Sequence, residues 1–465
     1  MTKKPQLKMT RSKGKISFDF IPGDMQQILL RFVENGFDVW LVGGALRDFL
    51  WGWIPKDWDL VTNATPPQVM TLFPRVIPIG VRHGTVQIHS GQRIIEATSC
   101  PAADPEGILA DLKRRDFTVN ALALSYPEGQ LIDPFGGQED LLSLTLRAVG
   151  EARARFHEDP LRTLRAGRFI SVYGFHLDPP TFEALEDAAA GLQRVAWERI
   201  REELFKMLLG EYFTDAFEWM RRGRVIEQFL PELGETSKTT GLRGAAMKVL
   251  EHTVHTVQCT PFRLRVRLAA LFHNLSEVRG HGPRQETLSD QSRFHQSALI
   301  AGEIMRRLRA SRAQTQEVVF LVENQIPDGS ELWTEVDVRR FLAGVGEDLL
   351  DDIMALAYAD RMARGDHSKG LRALQSLQFR ISQELRRRPP LQIQDLAMNG
   401  QDVMRMLSLK PGPVVGELLR SLREVVLENP ALNQRKFLMD FIKKEYKSKF
   451  GSRSGLEDKK QHKGG

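Results

Sequence analysis

Asp57 and Asp59 stand two residues apart in Lys56-Asp57-Trp58-Asp59-Leu60-Val61-Thr62, a segment with the composition of a β-strand. Side chains alternate along a strand, so these two carboxylates share a face. Side by side they repel each other unless a cation sits between them. Hard oxygen donors favour Mg²⁺, which also binds phosphates, and two such ions can activate an attacking hydroxyl and steady a leaving pyrophosphate. Asp57 and Asp59 are therefore candidate catalytic and metal-binding residues. Glu96, on a strand of its own further along, is the candidate for a third carboxylate. The bland alternative is an exposed strand edge with two solvated acids.

The neighbouring segments argue against that alternative. Leu41-Val42-Gly43-Gly44-Ala45-Leu46-Arg47-Asp48 reads as a strand, a Gly-Gly turn and a helix start. Gly43 and Gly44 let a phosphate approach the backbone, the helix N-terminus offers free N–H groups, and Arg47 adds charge one turn in. Taken alone such a turn is weak evidence. In Arg114-Arg115-Asp116-Phe117-Thr118-Val119-Asn120, Arg115 can clamp phosphate while Asp116 and Asn120 can hydrogen-bond a ribose. Glu158-Asp159-Pro160-Leu161-Arg162-Thr163-Leu164-Arg165-Ala166-Gly167-Arg168 reads as a helix with Asp159 as N-cap and Pro160 in its first turn. Asp159 and Arg162 are neighbours three residues apart. As a plain ion pair they would matter little. As a base reader they are specific. An ionised Asp only accepts hydrogen bonds and Arg only donates. Cytosine and adenine present an amino donor beside a ring-nitrogen acceptor, whereas uracil and guanine present the reverse. The pair thus matches C and A without a template, and Arg165 and Arg168 extend a stripe toward a triphosphate.

The elements that must hold these residues divide the chain unevenly. Ile28–Val33 has helical periodicity; Val39–Val42 and Trp58–Val61 read as strands; Thr85–His89 and Arg93–Ala97 read as a hairpin. From 151 onward the strand signals stop and apolar residues recur at helical spacing. The 465 residues suggest about three or four domains. There are 65 Lys+Arg against 59 Asp+Glu, a net charge of +6, which suits a nucleic-acid partner without proving one. No apolar run is long enough to span a bilayer, and the basic start lacks the apolar block of a secretory signal. Two cysteines, Cys100 and Cys259, make no disulfide framework. A cytoplasmic setting is expected. Residues 1–17 and 446–465 have little to bury and are expected to be disordered.

The motifs in this order resemble the class II tRNA nucleotidyltransferase and poly(A) polymerase family of bacterial type. The stretches that carry the likeness are LVGGALRD (41–48), KDWDLVT (56–62), GVRHGTV (80–86), RRDFTVNALAL (114–124), LIDPFGG (131–137), EDPLRTLRAGRF (158–169), ERIREEL (198–204) and MNGQDVMRMLSLKPGPVVGELL (398–419). The resemblance implies an α+β fold, with a polymerase-β-like nucleotidyltransferase head built on a mixed sheet and an all-α remainder. On that basis the expected divisions are a flexible basic start (1–23), head (24–150), neck with base-recognition helices (151–220), body (221–375), tRNA-binding tail (376–445) and a disordered basic end (446–465). It further implies Mg²⁺ on Asp57 and Asp59, nucleotide contacts from Gly44, Arg47, Arg115, Asp159, Arg162, Arg165 and Arg168, and tRNA as the acceptor, with basic faces such as Arg386–Arg388 as its surface.

Residues 80–84 are closer to the tRNA enzymes than to the Gly-Arg-Arg-Phe stretch of poly(A) polymerases. Family members that add the terminal A carry a longer flexible segment between the Glu96 strand and the RRDF motif; here only Ser99 to Ala110 lies between Thr98 and Asp111. That loss resembles the CC-adding subgroup. The expected activity is transfer of CMP from CTP to the tRNA 3′ end, stopping after two cytidines, with a separate enzyme adding A. The alternatives are a full CCA-adding enzyme using CTP and ATP, a poly(A) polymerase, and a phosphohydrolase. The last is suggested by the HD-type spacing of His255, His273-Asn274, His295 and Asp360 and weakened by Asn274 in place of a bridging aspartate, so that region reads as a degenerate HD-like scaffold.

Overall fold

A computed structural model describes residues 11–12, 15–55, 57–80, 84–91, 93–100, 106–234, 243–276, 289–365 and 369–450. Lys56, Val81-Arg82-His83 and residues 101–105 of the short Ser99–Ala110 connection lie outside the described residues, as do most of the basic start and the residues from 451 onward.

Val39-Trp40-Leu41-Val42 is β-branched and aromatic, and all four residues are buried. It lies inside a seven-stranded sheet whose order is Val76–Gly80, Thr85–Ser90, Arg93–Ser99, Trp58–Thr62, Val39–Val42, Ala123–Tyr126, Leu131–Ile132. Trp58–Thr62 runs parallel to Arg93–Ser99 and the other pairings are antiparallel, so the sheet is mixed, as expected. Register fixes the chemistry. Val42 pairs with Asp59, and Asp59 pairs with Glu96. The Gly43-Gly44 turn therefore begins one residue past the partner of Asp59. Helix Glu106–Lys113 buries Ile108 and Leu112 against Trp40, Val42 and Val61 of the sheet.

Beyond the sheet the chain is almost entirely helical. Among the described residues the exceptions are a parallel pair, Thr145–Leu146 with His176–Leu177, and a short antiparallel pair, Arg11–Ser12 with Lys15–Ile16. A two-residue strand is too short to leave an alternating pattern in sequence. Helix Leu161–Tyr173 packs on Trp197–Leu208 and Phe213–Arg222. Gly167 permits the approach, because a Cβ there would lie 2.9 Å from Met220 and 3.0 Å from Met207.

Two compact units emerge: residues 1–247 with 304–310, and residues 248–303 with 311–465. The expected divisions at 150 and 220 fall inside the first unit, and that at 375 inside the second. The second unit ends in a helical cluster centred on Val403, Leu418, Leu422, Val426, Leu438 and Ile442. Two end segments depart from the expected disorder. Ile16 is buried, and its N–H donates to the Gly129 carbonyl at 2.9 Å. The last helix, Arg435–Phe450, carries Tyr446 and Phe450 against that terminal cluster, so the chain is ordered past 446. Among the described residues no helix is long and apolar enough to cross a membrane.

Trp40 is 1% exposed at the middle of the sheet. Trp40→Ala is expected to lower the unfolding free energy of the first unit by about 3–5 kcal/mol. The measurement is a fall in urea midpoint without a change in slope.

Candidate active site

A cavity of about 640 Å³ opens at the C-terminal end of the Val39–Val42 strand. Gly43, Gly44, Arg47, Asp57, Asp59, Arg115, Asp116, Asn120, Asp159, Arg162, Arg165 and Arg168 all line it. Four segments spanning more than a hundred residues of chain converge there. Glu96 is the exception. It is exposed, beside Asp59 by strand pairing but off the cavity wall, where it accepts a hydrogen bond from Gln87.

Gly43 turns the chain with φ +69°, a left-handed conformation that glycine adopts freely. A Cβ there would lie 2.9 Å from an Arg115 guanidinium nitrogen and 3.1 Å from an Asp59 carboxylate oxygen. The turn is thus also the contact between these two groups. Burial pushes the Asp59 carboxyl up to about 6, with Glu96 and Asp57 adding to the rise against the lowering charges of Arg115 and Arg47.

Arg47 is buried and fully engaged. It donates to Asn120 Oδ1 at 2.7 Å, to Asp48 Oδ1 at 2.7 Å and to the Tyr173 hydroxyl at 2.5 Å. Asp116 accepts from Arg165 Nη2 at 2.6 Å, from Asn120 Nδ2 at 3.0 Å and from the Phe117 N–H at 2.8 Å. Burial opposes its ionisation, but the Arg165 charge and these hydrogen bonds hold its carboxyl well below the usual range. Asp116 and Asn120, the expected ribose ligands, thus line the cavity and also engage protein partners, Asp116 pairing with Arg165 and Asn120 receiving Arg47. Glu203, on helix Trp197–Leu208, pairs with both Arg165 at 3.3 Å and Arg168 at 2.6 Å.

Helix Leu161–Tyr173 begins one residue later than expected. Pro160 is the N-cap, and Asp159 reaches forward to accept from the Leu161 N–H at 3.2 Å. Asp159 and Arg162 do not pair with each other. Asp159 Oδ2 meets Arg199 Nη2 at 2.8 Å. Arg162 donates to the backbone carbonyls of Arg114 at 2.7 Å and Arg155 at 2.9 Å, and lies 3.2 Å from Glu158. Sequence reasoning missed Arg199, Tyr173 and Trp53 on the cavity wall. Arg199 lies in the ERIREEL stretch, whose spacing alone points to no contact with Asp159.

In the second unit His252, His273 and Asp360 converge, the one group of three potential metal ligands among the described residues. His252 Nε2 lies 2.9 Å and His273 Nε2 3.5 Å from Asp360 Oδ1. Asn274 lines the adjoining cavity of about 370 Å³. His255 is exposed, and His295 pairs with Glu323 at 2.7 Å, so neither joins the cluster. His252 takes the place expected for His255 because the helix turns that face inward.

Family models match along most of the chain: the poly(A) polymerase head domain at residues 39–147, the RNA- and SrmB-binding region of polymerase A at 174–236, and tRNA nucleotidyltransferase domain 2 at 294–442. The sheet and cavity together are those of a polymerase-type nucleotidyltransferase. The CCA-adding enzyme of Geobacillus stearothermophilus is 31% identical over 426 residues, 88% of this chain and 93% of that protein. The CCA-adding enzyme of Leuconostoc mesenteroides is 30% identical over 433 residues, 90% of this chain and 96% of that one. The structure of the Bacillus stearothermophilus CCA-adding enzyme in complex with CTP superposes with a TM-score of 0.67 and 26% identity, covering 93% of this chain and 100% of that chain. The chain belongs to the class II tRNA nucleotidyltransferase and poly(A) polymerase family.

The folded Asp59 carboxyl holds its proton more tightly than the unfolded one. Its ionised form therefore costs stability above about pH 6, by about 3 kcal/mol for a carboxyl moved from 3.8 to about 6, and the cost disappears below about pH 4. In EDTA at pH 8, Asp59→Asn is expected to melt above the parent protein. The gap should close as pH falls from 6 to 4; a gap unchanged at pH 4 contradicts the assignment.

Proposed function

We propose that this enzyme matures tRNA 3′ ends by template-independent transfer of CMP from CTP, adding two cytidines. The observation that carries the reading is the single cavity in which paired carboxylates, a Gly-Gly helix start, an arginine set and an Asp159/Arg162 edge reader meet. Asp57 and Asp59 are the groups to hold Mg²⁺, with Glu96 beside them by register. The donor set is all oxygen, and Asp59 remains short of positive charge despite Arg115 and Arg47, which is what a divalent cation would correct. Bound there, Mg²⁺ supplies charge neutralisation for the phosphates and activation of the tRNA 3′-hydroxyl.

The remaining steps fall to the chain's own residues. The N–H groups opening helix Gly44–Trp51 face the phosphates, and Arg115, Arg165 and Arg168 hold the triphosphate for in-line attack at the α-phosphate. Arg162 donates to the ring nitrogen and carbonyl edge of cytosine while Asp159 accepts from its amino group. The Asp159–Arg199 pair is partly exposed on both sides and worth about 0–1 kcal/mol, so an incoming amino group can replace it. The acceptor stem is recognised by basic helix surfaces through phosphates and 2′-hydroxyls. Arg386 and Arg388 are exposed for this at the end of helix Lys369–Arg387, while Arg387 is engaged by Glu384 and Glu335.

Support for stopping at two cytidines is the short link between strand Arg93–Ser99 and helix Glu106–Lys113. The Asp–Arg reader accepts C or A, but the larger purine needs the pair to shift, and a short link gives less leverage for that. A separate enzyme would then add A. Full CCA addition, with ATP as a further substrate, is the second reading, favoured by the CCA-adding relatives aligned over some nine-tenths of the chain.

Extension of a tRNA ending before CCA, with CTP and ATP together, is expected to give a product two nucleotides longer. A product three longer overturns the CC-adding reading in favour of CCA addition. Asp57→Ala or Asp59→Ala should reduce incorporation by about a thousandfold or more; unchanged incorporation would remove the catalytic assignment. Arg162→Ala is expected to lower the preference for CTP over UTP by about ten- to hundredfold, the worth of one bidentate edge contact, in single-nucleotide incorporation assays.

A further inference from the structure

A column of aromatic rings runs from the core of the first unit to the cavity, and its last ring has an open face. Phe169, 1% exposed, is stacked with Tyr173 at 5.5 Å between centroids and 27° between planes. Tyr173 is stacked in turn with Trp53 at 5.3 Å and the same 27°. The middle ring is locked, since the Arg47 guanidinium lies 4.5 Å from its centroid and donates to its hydroxyl. Trp51 packs beside the last two rings, 5.5 Å from Tyr173 and 5.8 Å from Trp53. Trp53 is nonetheless 42% exposed and its neighbour Ile54 88% exposed, on the wall of a cavity lined mostly by arginines and carboxylates. An indole supported by Tyr173 and Trp51 and partly exposed in a polar cavity offers surface on which a base can stack.

We infer that Trp53 is the stacking platform for the terminal nucleobase of the RNA acceptor, with Ile54 as an apolar flank. This rests on the proposed nucleotidyl transfer at the same cavity. The incoming nucleotide is held by its base edge at Asp159 and Arg162, on the helical side. Trp53 lies four residues before Asp57, on the loop that leads into the carboxylate strand. The acceptor's 3′-hydroxyl has to reach those carboxylates, which brings its base alongside that loop. Stacking also suits the task. Each addition changes the identity of the last base, and a ring face accepts any base where an edge reader would reject most.

The test uses the full-length enzyme, Trp53→Ala, Trp53→Leu and Trp53→Phe, and two acceptor RNAs identical except that one lacks the base of its last nucleotide. Base-on-aromatic stacking is worth about ten- to hundredfold in affinity. Trp53→Ala and Trp53→Leu should raise KM for the normal acceptor by that factor and leave KM for CTP unchanged, while Trp53→Phe stays within about threefold of the parent. The base-less acceptor should bind the parent as poorly as the normal acceptor binds Trp53→Ala, and no worse to Trp53→Ala. If the two losses multiply, if CTP rather than acceptor KM rises, or if Trp53→Leu matches the parent, the inference is overturned. Asp59→Asn separates the two claims: if that variant retains parental incorporation, the proposed transfer at this cavity fails whatever Trp53 does.

Discussion

A buried carboxylate that stays ionised organises the first unit. Asp116 sits where desolvation alone would protonate it, and Arg165 makes the charged form the stable one. The partners come from different layers: Asp116 follows the helix packed on the sheet, and Arg165 belongs to helix Leu161–Tyr173. Removing either would strand the other's charge, which is far costlier than the pair's net contribution is favourable. The pair also sets its neighbours. Asn120, held by Asp116, receives Arg47, and Glu203 takes the remaining donors of Arg165 and the charge of Arg168. The arginines are thus arranged before any phosphate arrives, and little reorganisation remains when charge develops there.

The other side of the cavity has the opposite balance. Asp59 stays under-compensated, with Asp57 and Glu96 adding negative charge, and Gly43 lets the chain press Arg115 and Asp59 together without a side chain between. A saturated cationic half faces an unsaturated anionic half. That asymmetry suits the proposed uptake of a cation together with a polyanion.

Much of this was legible in sequence because it is local. Alternation on one strand places Asp57 and Asp59, a Gly-Gly pair marks the turn, and three-residue spacing puts Asp159 and Arg162 at one helix end. What was not legible depends on contacts between distant segments. Asp159 turns to Arg199, forty residues on, and not to Arg162. That Asp116 and Asn120 also hold Arg165 and Arg47 depends on segments far from their own. His252 and His255 are equally plausible on one helix, and only the packing of the Asp360 helix selects His252. The buried Ile16 and the helix continuing to Phe450 depend on tertiary partners that composition does not reveal.

Arg162 is fixed by two main-chain oxygens, those of Arg114 and Arg155. Every residue type carries a carbonyl, so replacing the side chains at 114 or 155 leaves these acceptors in place. The hold on Arg162 is in this way insulated from genetic drift at the very positions that supply it, and neutral change can accumulate around this guanidinium without altering its placement.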